Sequence, residues 1–153
     1  MAFILPPKPR HCKLFGMKVS KHVAFGLRAL LAIAREPEKF HSVSSLAEKE
    51  GLPETPTRQC LIRLRKAGLL SAEKGRTGGY KLARAPQEIS IAHVIHALED
   101  EIYLSLGQER RRARFYEPPK NCPIMPFWNR MEKKFWELLE TVTLADLLKN
   151  KAS

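Results

Sequence analysis

Acidic residues are scarce in this chain of 153 residues: 16 Asp and Glu stand against 27 Lys and Arg, a net charge of +11. A surplus of that size cannot be neutralised within the chain and points to a polyanionic partner, of which nucleic acid is the commonest. Cysteine is scarce as well. Cys12, Cys60 and Cys122 lie far apart with no CxxC pair, which argues against a disulfide framework and is too sparse to specify a zinc site. No apolar run approaches the roughly 20 residues that a spanning helix needs, so no membrane partner is expected. The opening MAFILPP lacks the basic, apolar, then small layout of a secretion signal, and a cytoplasmic protein is expected. Nothing reads as a nucleophile–base pair, a carboxylate dyad or a GxxxxGK[ST] loop, so no enzyme is expected. What the chain does have is 44% hydrophobic residues, enough for the core of one domain.

Residues 1–16, with Pro6, Pro7 and Pro9 among scattered cations, read as a flexible basic leader. A fresh pattern begins at Met17, so this leader is consistent with an upstream start codon. Ser20 is placed to cap a first helix, in which Val23, Leu27, Leu30, Leu31 and Ala34 form one apolar stripe. Pro37 should end it. A short second helix is expected after Ser44, with Leu46 and Ala47 inward, and Gly51 supplies the turn to the next helix.

The third helix is expected from about Glu54 to Ala67, packing through Cys60, Leu61 and Leu64. Its first turns and opposite face carry Thr55, Thr57, Arg58, Gln59, Arg63 and Lys66. That division suits major-groove insertion, with base readers near the helix start and phosphate-binding cations beyond. A solvated charged face would show a similar pattern, and the next element separates the two. Gly68 stops the helix, Leu69 and Leu70 open a strand, and Lys74-Gly75-Arg76-Thr77-Gly78-Gly79 makes a basic hairpin tip. Tyr80 and Leu82 return as the second strand. Helix followed by wing is specific for a winged helix-turn-helix: a mainly α fold with a small β-hairpin.

Further on, Ile124, Phe127, Trp128, Met131, Phe135, Leu138, Leu139 and Val142 recur at 3–4 residue spacing. A long stripe of this kind, beyond a unit with its own core, calls for a partner surface. The candidate dimerisation residues are therefore Phe127, Trp128, Met131, Phe135, Leu138 and Leu139. Thr143 is placed to cap a last helix whose Leu144, Leu147 and Leu148 would complete that packing. The expected organisation is a leader over 1–16, a winged helix-turn-helix over 17–99, a loop over 100–122, and a dimerisation helix with its cap over 123–153.

The segments MKVSKHVAFGLRALLAIA, RLRKAGLL, KGRTGGYKLARAPQEISIAHVIHALE and TLADLL together carry a resemblance. Over roughly Met17 to Leu148 the chain resembles the bacterial regulators that include the iron–sulfur cluster assembly regulator, the nitric-oxide-sensitive repressor and the cysteine-metabolism repressor. The resemblance implies a homodimeric transcriptional regulator, expected to be a repressor, on a palindromic operator in double-stranded DNA. It implies base reading by Thr55, Thr57, Arg58 and Gln59 and backbone contact by Lys74, Arg76, Thr77 and Gly78, with Arg63 among the helix cations. At the position of Arg58 one cluster-binding relative carries a carboxylate, whereas an arginine favours guanine through O6 and N7.

Sensing members of that family hold an iron–sulfur cluster on three closely spaced cysteines. Here the corresponding segment, EDEIYLSLGQERRRARFYEPPKNCPIMPFW, keeps only Cys122 and fills the rest with arginines. One thiolate per chain does not supply the usual set, so no cofactor is expected. His93 and His96, at i, i+3, could join Cys122 in a mixed nitrogen–sulfur metal site, to be weighed against two surface or partly buried histidines with no ligand. Cys122 is otherwise a candidate redox thiol, its thiolate favoured by the neighbouring arginines, or a packing residue. The control signal is left to an unknown effector or partner protein. The competing functional class is a winged helix that docks a partner protein through the aromatic C-terminal helix.

Overall fold

In the computed structural model, which describes residues 20–99 and 123–149, helix α1 (Lys21–Arg35) starts where the Ser20 hydroxyl accepts a hydrogen bond from the Val23 amide at 3.3 Å. It stops at Arg35, two residues short of Pro37, because the residue before a proline avoids the helical region. The buried surface of α1 is wider than one stripe. Val23, Gly26, Ala29, Leu30, Ala32, Ile33 and Ala34 are all buried, while Leu27 and Leu31 are only partly so. The reason is its central position: α1 packs against α2, α3, α4, α6 and the second strand of the wing. Small residues allow the approach, and a Cβ on Gly26 would collide with the Leu98 side chain of α4.

Helix α2 (Val43–Glu50) begins two residues earlier than a helix following Ser44 would. Ser42 is the cap, accepting from the Ser45 amide at 3.1 Å, and Val43 is already turned into the core. Two ion-pair clusters tie α2 to α1. Glu36 accepts from Lys39 at 2.5 Å and Lys49 at 2.8 Å, and Glu50 lies 3.5 Å from Arg35 and 3.9 Å from Arg28. Gly51, in the left-handed conformation at φ 61°, closes α2 and turns the chain toward α3 (Glu54–Lys66).

Cys60, Leu61 and Leu64 bury α3 against the core. Each of the two leucines contributes about 2 kcal/mol by leaving water, and together they set which face of α3 looks outward. After Gly68 the chain forms the wing: β1 (Leu70–Glu73) and β2 (Gly79–Leu82) run antiparallel, with Leu70 opposite Leu82 and Glu73 opposite Gly79. His41 adds a third rung. It exchanges both backbone hydrogen bonds with Tyr80 at 2.8 Å, so the segment before α2 pairs with β2. Gly79, at φ 143°, permits this approach, since a Cβ there would strike the His41 carbonyl.

Helix α4 (Ile91–Leu98) is capped by Ser90 and lies against α1 and α3. Helices α5 (Met125–Thr141) and α6 (Leu144–Lys149) complete the described chain. Thr143 caps α6 as expected, its hydroxyl accepting from the Asp146 amide at 3.3 Å while its own amide and hydroxyl donate to the Asp146 carboxylate at 3.0 and 2.7 Å. The packing of α6 differs from expectation. Paired backbone bonds between Ile91 and Val142, and between Leu144 and Ile89, clip its start to the start of α4. Leu144 is thereby fully buried in the core around α1 and α4, and α6 belongs to that core rather than to the packing of α5. No helix among the described residues is long and apolar enough to cross a membrane.

Candidate nucleic-acid interface

Helix α3 sorts its residues by turn. Thr55, Arg58 and Gln59 are exposed on one face, together with Ile62 and Lys66. Opposite them Thr57 shares the inward stripe of Cys60, Leu61 and Leu64. Thr57 is fully buried and its hydroxyl has no hydrogen-bond partner, which corrects its expected role as a base reader. An orphaned buried hydroxyl costs about 1–3 kcal/mol. Burying Leu61 and Leu64 outweighs that cost, and they carry Thr57 inward with them.

Arg63 also departs from expectation. Its guanidinium donates to the Leu98 carbonyl at 2.7 Å, clasping the C-terminal end of α4 to α3 instead of standing ready for a phosphate. Arg58 is exposed and paired with Glu54 at 2.6 Å, one turn earlier. An exposed pair of this kind is worth only about 0.3–0.5 kcal/mol, so the guanidinium can be traded to a base or phosphate at little cost. Until then Glu54 keeps it at the start of the helix.

At the wing, Lys74, Arg76 and Thr77 are exposed at the hairpin tip. Gly78 closes the tip by donating to the Gly75 carbonyl at 3.2 Å. A Cβ on Gly78 would collide with the Glu73 carbonyl, so turn closure by itself already calls for glycine there. Lys81 on β2 lies 5.3 Å from the Phe40 ring centre, a cation–π contact.

Ion pairing divides the cations of the molecule. Arg28, Arg35, Lys39 and Lys49, on α1, α2 and their connection, are taken up by Glu36 and Glu50. The Glu36 carboxyl is held at about 2, first by its hydrogen bond from Lys39 and then by that from Lys49. Among the described residues Arg65, Lys66, Lys74 and Arg76 have no carboxylate partner. These four place unneutralised charge at the end of α3 and on the wing; Lys21, Lys81, Arg84, Arg130 and Lys134 are likewise without a carboxylate partner. Arg65 was missed by sequence reasoning; its only signal there was its place beside Lys66. Ile62 was missed as well, since its exposure depends on the rotation of α3.

The proposed metal ligands His93 and His96 lie on α4. Both are exposed and, with Ala67, Leu69, Arg84 and Ala97, line an open depression of about 340 Å³. The Arg84 guanidinium in that lining disfavours a cation, and no group of three potential metal ligands occurs among the described residues. The His96 ring stacks on Trp136 of α5 at 4.3 Å. Of the three cysteines, the described one does not suit a family-type cluster. Cys60 is sunk in the core with its thiol 3.4 Å from the His22 carbonyl, and burial pushes it above its ordinary pKa. That leaves Cys12 and Cys122, both outside the described residues.

Helix α5 touches α4 but buries none of its described side chains completely. Ile124, just before it, is 56% exposed, and Phe127, Met131 and Leu138 are 51%, 44% and 60% exposed. Phe135 and Leu139 are half-buried. Trp128 lies on α5, with its side chain outside the described residues.

A family model described as Rrf2, iron-dependent transcriptional regulator, matches residues 19–150. A Synechocystis protein described as a helix-turn-helix transcriptional regulator is 32% identical over 134 residues, covering 86% of this chain and 87% of its own. Among solved structures, T. potens IscR superposes with a TM-score of 0.68 at 32% identity, over 88% of each chain. CymR, the global cysteine regulator of B. subtilis, gives 0.72 at 27% identity, over 89% of this chain and 99% of its own.

Proposed function

Because the chain belongs to the Rrf2 family of DNA-binding transcriptional regulators, we propose that it binds a palindromic operator as a homodimer and represses transcription by occupying it. One observation carries this reading: Arg65, Lys66, Lys74 and Arg76, at the end of α3 and on the wing, have no carboxylate partner, while Arg28, Arg35, Lys39 and Lys49 are taken up by Glu36 and Glu50. In it, Thr55, Arg58 and Gln59 face base edges, Lys66 and Arg65 face phosphates beside them, and Lys74, Arg76 and Thr77 reach the flanking backbone. A symmetric dimer, assembled through the apolar stripe of α5, would present two such heads to two half-sites. Occupancy that blocks polymerase access would repress without a further partner.

The test is selection of duplexes from a random pool at moderate salt. A palindrome with one Arg58-dependent base per half-site is expected, and Arg58→Ala should relax that position by about 1–3 kcal/mol. A pool that yields no preferred sequence would defeat the proposal. Retained binding to a partner protein in that case would favour the docking module instead.

A further inference from the structure

Among the described residues, the exposed large hydrophobic side chains are Ile124, Phe127, Met131 and Leu138, all on or beside α5, and one other, Ile62 on α3. Ile62 is 40% exposed. It stands one turn beyond Arg58 and Gln59, two beyond Thr55 and one before Lys66, all on the outward face.

Neither helix formation nor packing accounts for isoleucine there. A β-branched side chain loses rotamer freedom in a helix, and the Arg, Lys and Gln types around it are better formers at a solvated site. Ile62 is also absent from the hydrophobic core and from the residues packed against it. Its surroundings are cationic, with Arg58 at i−4, Arg65 at i+3 and Lys66 at i+4. Burying those cations against an apolar protein surface would be costly. A polyanion with an apolar feature embedded in it matches the patch better. The DNA major groove has one such feature, the 5-methyl group of thymine, which apolar side chains read by contact.

We propose that Ile62 reads a thymine methyl in each half-site, one step along the groove from the base met by Arg58. The inference rests on α3 being the recognition helix. Specificity is then shared: Arg58 selects by hydrogen bonding, and Ile62 selects by removing a methyl group from water.

The test replaces each thymine of the selected duplex by uracil, which removes the methyl group and nothing else. The wild-type protein should lose about fourfold in affinity at one thymine per half-site, the weight of one buried methyl. Ile62→Ala should bind the thymine and uracil duplexes alike, whereas Arg58→Ala should keep the difference. Equal thermal melts of the two variants and the wild type would show that the fold is intact. The inference is overturned if the wild type ignores every uracil substitution, if the selected site prefers no thymine, or if Ile62→Ala still distinguishes the two bases. In those outcomes an Arg58-dependent base preference would leave the recognition-helix reading standing. Loss of all sequence preference would remove both.

Discussion

Thr57 shows how one residue type can point to two opposite roles. A threonine early in a recognition helix reads as a hydrogen-bonding base contact, yet here its neighbours decide. Cys60 at i+3 and Leu61 at i+4 are buried, so Thr57 is buried with them and its hydroxyl is left unpartnered. Thr57→Val, which replaces that hydroxyl with a methyl, should raise unfolding stability by about 1 kcal/mol. Operator affinity should be unchanged, as urea denaturation and a binding titration would show. Arg63 carries the same lesson, because a cation on a basic helix is drawn to a bare helix-end carbonyl, that of Leu98, when one lies within reach. Such long-range partners leave no mark in local spacing. Arg58, Lys74 and Arg76 were legible because their neighbours in the chain already place them on an outward turn or a hairpin tip.

At the level of elements, α1, α3, the wing and the cap of α6 follow from local signals. Ser20, Gly68, the glycines of the hairpin and Thr143 each do what their chemistry predicts. The start of α2 was less legible, since Ser42, Ser44 and Ser45 are all able to cap. The backbone pairing of His41 with Tyr80 positions Ser42 at the helix start. Similarly, the placement of α6 depends on strand-like bonds between residues some 50 positions apart, and its own apolar residues could not reveal them. The joint between α1 and α2 carries a pH dependence. Glu36 has a carboxyl held at about 2 by Lys39 and Lys49, below its ordinary value of 4.5. A depressed carboxyl stabilises the fold above the ordinary value, and that contribution is lost as pH falls toward 2. Glu36→Gln should therefore melt slightly below the wild type at pH 7, with the gap closing between pH 4.5 and 2. The effect should be small because the groups are exposed.

For the whole molecule, the described surface offers a charged region on α3 and the wing and an apolar stripe on α5. The stripe was legible from its periodicity, but the side chain that meets α4 was not. Trp136 stacks on His96, leaving Met131 and Leu138 outward. If α5 joins two chains, Met131→Glu combined with Leu138→Glu should give a monomer by sedimentation while leaving the melting profile of the fold near that of the wild type. Its affinity for a full palindrome should fall toward that for a half-site, since a monomer engages only one head. A double variant that stays dimeric would place the interface elsewhere.

The central claim, that α3 and the wing together grip DNA, is tested most directly by the salt dependence of binding to the selected duplex. The logarithm of affinity should fall linearly with the logarithm of salt concentration, by about 0.9 for each phosphate neutralised. Replacing Lys74 and Arg76 by alanine should flatten that slope by about 2 units per wing while preserving the preferred sequence. A slope that the wing substitutions leave untouched, or an affinity indifferent to salt, would contradict the account.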